Sequence, residues 1–170
     1  MGCLSFKLNG ENVKNLRAHV ADQLALRDIQ FEDRGHPFGV GCAAQCGGDL
    51  LSCGISFAER SVRVEVLCVT MPTLTQATEQ TLTQALAALT KLSAGLPFGE
   101  YFLHPHLSVP AVHSEVEYEQ GTDESQVAAE VVDVVVDLFI SYCANTATFL
   151  SPPFTLLKES DTQADEMESR

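Results

Sequence analysis

The sequence is poor in positive charge. Among its 170 residues, 10 are Lys or Arg and 23 are Asp or Glu, which gives a formal net charge of −13. Because phosphate groups are themselves negative, this excess of carboxylates disfavours binding to nucleic acid or to an anionic membrane surface. We therefore expect neither as a partner, and we expect a basic or amphipathic segment of another protein instead.

Long apolar runs are also absent. The first residues, MGCLSF, lack the basic start and apolar stretch of a signal peptide, and no segment has the apolar length of a transmembrane helix. Phe6 stands where a myristoylation signal has Ser or Thr. From these features we expect a cytoplasmic protein.

Familiar catalytic patterns are missing as well. No Ser, Cys or Thr stands in a nucleophile-elbow pattern, and no Gly-rich loop lies between a strand and a helix, where it would hold a phosphate. The six cysteines form no CxxC pair, so their spacing does not favour a zinc site. We expect a protein that is not an enzyme and that carries no cofactor.

Residues 37–70 have the clearest structural pattern, because apolar residues recur there at the period of a β-strand. Two-residue turns at Gly47-Gly48 and Glu59-Arg60 divide the segment into three antiparallel strands. The second turn sets Phe57 opposite Val62. The first turn predicts four further cross-strand pairs on the same face, namely Ala44 with Leu51, Cys42 with Cys53, Val40 with Ile55 and Phe38 with Phe57.

This register brings two cysteines together. Cys42 and Cys53 fall at a hydrogen-bonded pair, where Cα atoms are about 5.5 Å apart, and that separation permits a disulfide. We favour buried free thiols, because cytoplasmic proteins keep their thiols reduced. The other four cysteines are scattered along the sequence, at Cys3, Cys46, Cys68 and Cys143.

Apolar residues at helical spacing predict three helices. The first covers residues 10–26, the second begins at a capping box on Thr73 and ends before Gly95, and the third runs from Thr122 to residue 147. The third has a Val-rich centre, but a polar stripe at helical spacing favours a helix there over a strand. That stripe consists of Glu130, Asp133, Asp137 and Ser141.

The second helix is the candidate for a dimer seam or a partner surface. Its apolar face includes small residues, which let another helix or a sheet approach closely. The same stripe fits a helix that only covers its own sheet, so both alternatives remain open. The candidate contact residues are Leu82, Ala85, Leu86 and Leu89.

Residues 98–104 and 111–119 are predicted to form a second hairpin. Its loop and strands carry His104, His106 and His113, together with Glu100 and Glu115. If the loop closes, the imidazoles can converge on a metal, and an alternative hypothesis is then a metal-dependent enzyme or a metal sensor. The other interpretation is a set of exposed histidines beside carboxylates on a solvated sheet face.

Together these elements predict an α+β fold with a five-stranded antiparallel sheet and three helices, in the order α-β-β-β-α-β-β-α. A short edge strand can also form at residues 29–31. The chain is long enough for one sizeable core, and we expect a single domain over residues 1–150. Residues 151–170 are predicted to be an acidic, disordered tail in which Phe154 can still pack on the domain.

This order resembles the fold shared by type III secretion chaperones and by the YbjN family of proposed bacterial sensory-transduction regulators. The resemblance covers about residues 10–148 and rests on the hairpins of 37–70 and on the segments LTKLSAG, FGEYFLH, AVHSEVEYE and DESQVAAEVVDVVVDLFISY. It implies a non-enzymatic, cytoplasmic, chaperone-like protein, commonly a homodimer. Such a protein holds an extended or partly unfolded segment of a partner on its helices and exposed sheet surfaces. The cysteines and the loop of His104 and His106 depart from both families.

Overall fold

The computed structural model describes residues 9–35, 39–71, 73–74 and 76–155, and the side chains from residue 13 onward. This part of the chain forms three helices and an antiparallel sheet, so the predicted α+β class is confirmed. The elements in chain order are α1 Asn9–Leu26, β1 Phe31–Asp33, β2 Val40–Cys46, β3 Asp49–Phe57, β4 Ser61–Cys68, α2 Glu79–Ser93, β5 Glu100–Leu103, β6 Pro110–Glu117 and α3 Glu124–Phe149.

The sheet has six strands rather than the predicted five. Their order is β1-β2-β3-β4-β6-β5, and each neighbouring pair is antiparallel. The additional strand is β1, an edge strand of 3 residues. The sequence indicated a short edge strand here at residues 29–31, two residues before the observed one, because a strand this short has too few residues for alternation to fix its bounds.

The predicted register of the first hairpins is confirmed. Ala44 pairs with Leu51, and Phe57 pairs with Val62. Gly47 has a φ of 62°, the left-handed conformation that a two-residue turn of this kind requires. The predicted partner of Phe57 on the first strand, residue 38, lies outside the described residues.

The helices lie on one face of the sheet. α3 contacts β4 and β6, α1 packs against α3, and α2 contacts β5. The opposite face, here called the outer face, carries partly exposed side chains such as Ser52, Arg63, Glu65 and His113. The side chains that point towards the helices are buried, among them Val40, Leu51, Cys53, Ile55, Val62, Val64, Val66 and Val112.

The second helix begins later than the sequence predicts. Its N-cap is Thr78, whose side-chain oxygen accepts a hydrogen bond from the N–H of Thr81 at 3.2 Å. The predicted cap at Thr73 is wrong for a tertiary reason. The next residue, Leu74, is 3% exposed, and its N–H donates to the carbonyl of Ser108 at 2.9 Å. Packing against this distant loop therefore holds the segment outside the helix.

The hydroxyl of Tyr142 joins α3 to the point where β4 and β6 separate. It donates to the carbonyl of Pro110 at 2.7 Å and accepts from the N–H of Cys68 at 3.3 Å. By the strand register, these two residues are opposite each other, one step beyond the last ladder pair, Leu67 with Ala111. Because proline has no N–H, they cannot exchange two hydrogen bonds. The phenol satisfies both backbone groups instead, and burial raises its pKa, so it stays protonated.

Aromatic rings fill the core near the end of α3. The ring centroids of Tyr142 and Phe149 are 5.0 Å apart, and those of Phe149 and Phe154 are 5.3 Å apart. Phe154 is 1% exposed, although it follows the predicted end of the domain. Residues 156–170, most of the predicted tail, lie outside the described part of the chain.

We expect Tyr142→Phe to lower the free energy of unfolding by about 1–3 kcal/mol, because two buried backbone groups lose their hydrogen-bond partner. Urea denaturation measures the loss. The control is Tyr118→Phe, which removes a hydroxyl that donates to the carbonyl of Ala58 at an exposed site. It should cost less than about 1 kcal/mol. Equal losses in the two variants would contradict a special role for the Tyr142 hydroxyl.

Candidate functional site

His104 and His113, two of the three histidines of the predicted metal site, lie on or beside the outer face. His113 on β6 is the ladder partner of Glu65 on β4 and of Glu100 on β5. Its Nε2 is 3.1 Å from Oε1 of Glu100. His104 follows β5, and its Nε2 is 3.4 Å from Oε1 of Glu65. Each of these two rings therefore faces a different carboxylate.

Both ring nitrogens of His104 are engaged. Its Nδ1 accepts hydrogen bonds from the backbone N–H groups of His106 at 3.3 Å and Leu107 at 3.1 Å. A neutral imidazole that accepts at Nδ1 carries its proton on Nε2, which here points to Glu65. A metal ligand needs a free nitrogen lone pair, so His104 would have to release this loop before it could bind a metal.

The remaining histidine contacts also point to packing. The His113 ring lies edge-on to Phe102, with the centroids 5.0 Å apart, and the guanidinium of Arg63 lies 5.7 Å from the centre of the Phe102 ring. Within the ranges that the structure describes, no three His, Cys, Asp or Glu side chains are placed to hold a metal ion. The His104 and His106 rings are neighbours, with their centroids 5.9 Å apart, but the three histidines do not converge as the metal hypothesis requires.

The predicted contact residues on α2 separate into two groups. Ala85 and Leu89 are 0% and 1% exposed and belong to the core of the same chain. Leu82 is partly exposed, and Leu86 is 50% exposed. Only the second group is on the surface of this chain, and its contact with a partner stays a prediction.

The position of α2 explains why half of its apolar stripe is buried. The hydroxyl of Ser93, at the end of α2, accepts a hydrogen bond from the N–H of Tyr101 on β5 at 2.8 Å. The helix thus lies along the outer edge of β5 and takes up an edge N–H group. Covering a strand edge with a helix is a common way to prevent unwanted strand pairing.

The opposite edge of the sheet is only half covered. The partners of β1 on β2 are Val40, Gly41 and Cys42, and β1 has no residue opposite the rest of that strand. Counting from the two-residue turn, Ala43 and Gln45 direct their N–H and C=O groups away from β3. Within the described ranges these groups have no strand partner.

An apolar groove, here called the edge groove, lies beside this open half of β2. It is bounded by β2, by α3 and by the connection from α1 to β1. Its apolar lining consists of Ile29, Ala43, Ala44, Val136, Phe139 and Ile140, and Asp28 and Gln30 add polar groups. Ile140 is 62% exposed, so a large aliphatic side chain faces solvent at the groove.

A disulfide between Cys46 and Cys143 links β2 to α3, with the two Cα atoms 5.8 Å apart. The expectation that these cysteines are scattered, reduced thiols is therefore wrong. The two residues are 97 positions apart in the sequence. Only the packing of α3 on the sheet brings them together, so spacing in the sequence carried no signal of the bond.

The predicted neighbours Cys42 and Cys53 are free thiols. They are register partners and are 6% and 1% exposed. The hydrogen bond to Cys42 and burial both raise the pKa of Cys53, whereas the same hydrogen bond lowers the pKa of Cys42. Burial keeps both side chains away from solvent reagents. This pair therefore acts as part of the apolar core, as the sequence predicts.

The sequence contained one overlooked signal of the edge groove. Val136, Phe139, Ile140 and Cys143 recur on α3 at spacings of three, one and three, which is a second apolar stripe at helical period. This stripe lies beside the polar one and outside the most buried face of the helix. The sequence could not indicate which strand the stripe meets.

The helix-covered antiparallel sheet, with its order of elements, defines an α+β fold of the YbjN type. The crystal structure of YbjN from E. coli, itself a proposed transcription regulator, is similar to this structure with a TM-score of 0.52. The sequences are 12% identical, over 77% of this chain and 91% of that chain. The resemblance to YbjN expected from the sequence is thus confirmed, and at this identity it concerns the fold alone.

The sequence comparisons add no functional assignment. No protein-family model matches the sequence, and no curated protein matches it. Across the helices that the structure describes, none has the length and apolar character needed to cross a membrane. The proposed function therefore depends on the geometry of the edge groove.

We expect His104→Ala to lower the free energy of unfolding by about 1 kcal/mol, because two loop N–H groups lose their acceptor. The matched control is His106→Ala, whose exposed side chain should contribute less than about 0.5 kcal/mol. Urea denaturation measures both. Uptake of one equivalent of zinc by the unaltered protein, lost in His104→Ala, would instead favour the metal hypothesis.

Proposed function

We propose that this protein is a non-enzymatic binding module that captures an extended segment of a partner polypeptide at the edge groove. One observation carries the proposal: the unpaired half of β2 lies directly beside an apolar groove. A peptide that adds to a sheet edge gains affinity from backbone hydrogen bonds and specificity from pockets for alternate side chains. The edge groove combines both features.

The backbone of β2 is well placed to receive an added strand. Ala43 and Gln45 each direct one N–H and one C=O towards the open edge. The pairing of β2 with β3 continues to the Cys46–Asp49 pair, so these groups are held in a fixed orientation. A captured strand would follow β1 end to end and span about 13 Å over four residues.

Side chains of the captured strand would alternate between the two faces of the sheet. On the helix side they would meet Phe139 and Ile140 of α3. Further apolar surface lies at the two ends of the connection between α1 and β1, where Leu26 is 76% exposed and Phe31 is 37% exposed. The partner segment should therefore have aliphatic residues at every second position.

Charge complementarity favours a partner with basic flanks. Asp28 lines the edge groove, and Asp137 is exposed one residue beyond Val136 on α3. Arg27, the nearest cation in sequence to Asp28, is already paired with Asp133 at 2.6 Å. With a net charge of −13, the protein would attract Lys- or Arg-rich segments and speed their association.

The alternative function, a metal-dependent enzyme or metal sensor built on His104, His106 and His113, has weaker support. It would require His104 to give up two backbone hydrogen bonds and its contact with Glu65. The edge groove requires no such rearrangement. A chaperone- or regulator-like role in the cytoplasm is consistent with the capture of an extended segment, and it belongs to this proposal.

We expect Ile140→Asp to weaken peptide binding at least about tenfold, because the complex would bury a carboxylate in an apolar groove. The probe is a labelled synthetic peptide in which Ile or Val alternates with Lys or Thr. Its fluorescence anisotropy measures its binding to the protein. Leu107→Asp is the matched control, since it places the same charge on an exposed aliphatic position of the loop between β5 and β6. Equal weakening by both variants would contradict binding at the edge groove.

Strand addition can be separated from simple groove binding with N-methylated versions of the same peptide. Methyl groups on the amides that face β2 should abolish binding, whereas methyl groups on the opposite edge should not. Equal effects would contradict strand addition. Tighter binding after removal of residues 156–170 would indicate that the tail of this chain occupies the groove in place of a partner.

We also propose a homodimer in which the exposed part of α2 forms the seam. Leu82 and Leu86 are the available side chains, since the rest of the predicted set is buried. Leu86→Asp should convert a dimer to a monomer in light scattering, because two carboxylates would meet across a two-fold seam. An unchanged mass would contradict this seam.

A further inference from the structure

The disulfide lies at one end of the edge groove and connects its two walls. Cys46 follows Gln45, whose backbone faces the open edge of β2. Cys143 lies three residues after Ile140, on the same side of α3 as the groove-lining residues. The bond therefore sets the distance between the strand edge and the apolar wall at that end.

This disulfide is more accessible than the other described cysteines. Cys143 is exposed and Cys46 is partly exposed. The free thiols are buried, with Cys42, Cys53 and Cys68 at 6%, 1% and 1% exposure. A reductant in solution can thus reach the groove disulfide, while the core cysteines stay out of contact with it.

Breaking the bond would leave α3 attached to the sheet. Leu138 and Tyr142 are both 0% exposed, and the Tyr142 hydroxyl still joins Cys68 to Pro110. The freedom gained would be local to the end of β2 and to the neighbouring turn of α3. Reduction can therefore change the groove without unfolding the domain.

We propose that thiol–disulfide exchange at Cys46 and Cys143 regulates the edge groove, with the oxidised form binding an extended polypeptide and the reduced form releasing it. This inference rests on the proposed function. Disulfides in cytoplasmic proteins are usually transient or regulatory, so an accessible bond at a binding groove suits the expected location. The disulfide holds the strand edge and the apolar wall in a preorganised arrangement, which lowers the entropic cost of binding.

The reductant is a dithiol. One of its thiolates attacks Sγ of Cys143, the more exposed of the two residues, and the Cys46 thiolate leaves and takes up a proton. The second thiolate of the reductant then attacks the reductant's other sulfur, which is bonded to Sγ of Cys143 in the mixed disulfide. The Cys143 thiolate leaves and is protonated. Two electrons and two protons reduce the protein disulfide to two thiols, and the dithiol becomes a disulfide.

The test measures binding of the alternating Ile/Val and Lys/Thr peptide to the full chain before and after treatment with dithiothreitol. We expect about tenfold weaker binding after reduction, because the preorganised groove is lost. The double variant Cys46→Ala, Cys143→Ala should bind like the reduced protein under both conditions. Cys42→Ala, which leaves the groove disulfide intact, should keep the response to the reductant.

A second measurement does not depend on the peptide. Amide hydrogen exchange at Ala44 and Cys46, whose N–H groups pair with β3, and in α3 from Val136 to Cys143, should be faster in the reduced protein than in the oxidised protein. Equal binding in both redox states would overturn the redox inference and leave the proposed function standing. If the peptide binds neither the oxidised nor the reduced protein, the proposed function is contradicted. In that case, equal amide hydrogen exchange rates in the two redox states would still overturn the redox inference.

Discussion

The Tyr142 hydroxyl fixes the position of the long helix on the sheet, and the other elements depend on that position. Pro110 cannot donate a backbone hydrogen bond to β4, so the ladder would end there with two buried, unpaired groups. The Tyr142 hydroxyl hydrogen-bonds to both of these backbone groups and so holds α3 over β4 and β6. α1 then packs on α3, and one side of α3 becomes the wall of the edge groove.

The two edges of the sheet are treated differently. At β5, α2 lies along the strand, and the Ser93 hydroxyl accepts the N–H of Tyr101. At β2, a strand of 3 residues protects only the half distant from the turn. An open edge beside apolar side chains is an aggregation hazard unless it has a partner, and this is the physical reason for the proposal that this edge binds a polypeptide. The adjoining disulfide places a redox-sensitive bond at the same site.

Local patterns predicted much of the fold because their causes are local. The alternation of apolar residues on either side of the Gly47-Gly48 turn predicted the correct strand register. The polar stripe of Glu130, Asp133 and Asp137 correctly predicted a helix at α3 despite its valines. The candidate site was predicted less well. Ala85 and Leu89 have the spacing of a contact surface, yet spacing alone cannot reveal which surface buries them.

By itself, the sequence determined the class of fold, the pairing of β2 with β3 and the acidic character that limits the choice of partner. Each of these follows from neighbouring residues or from total charge. Tertiary structure alone decided which edge of the sheet is open, that Cys46 meets Cys143, and that His104 and His113 face different carboxylates instead of a common centre. These outcomes depend on how α2 and α3 pack on the sheet. Such packing brings together residues that are far apart in the sequence, and contacts of this kind leave no periodic pattern by which they could be predicted.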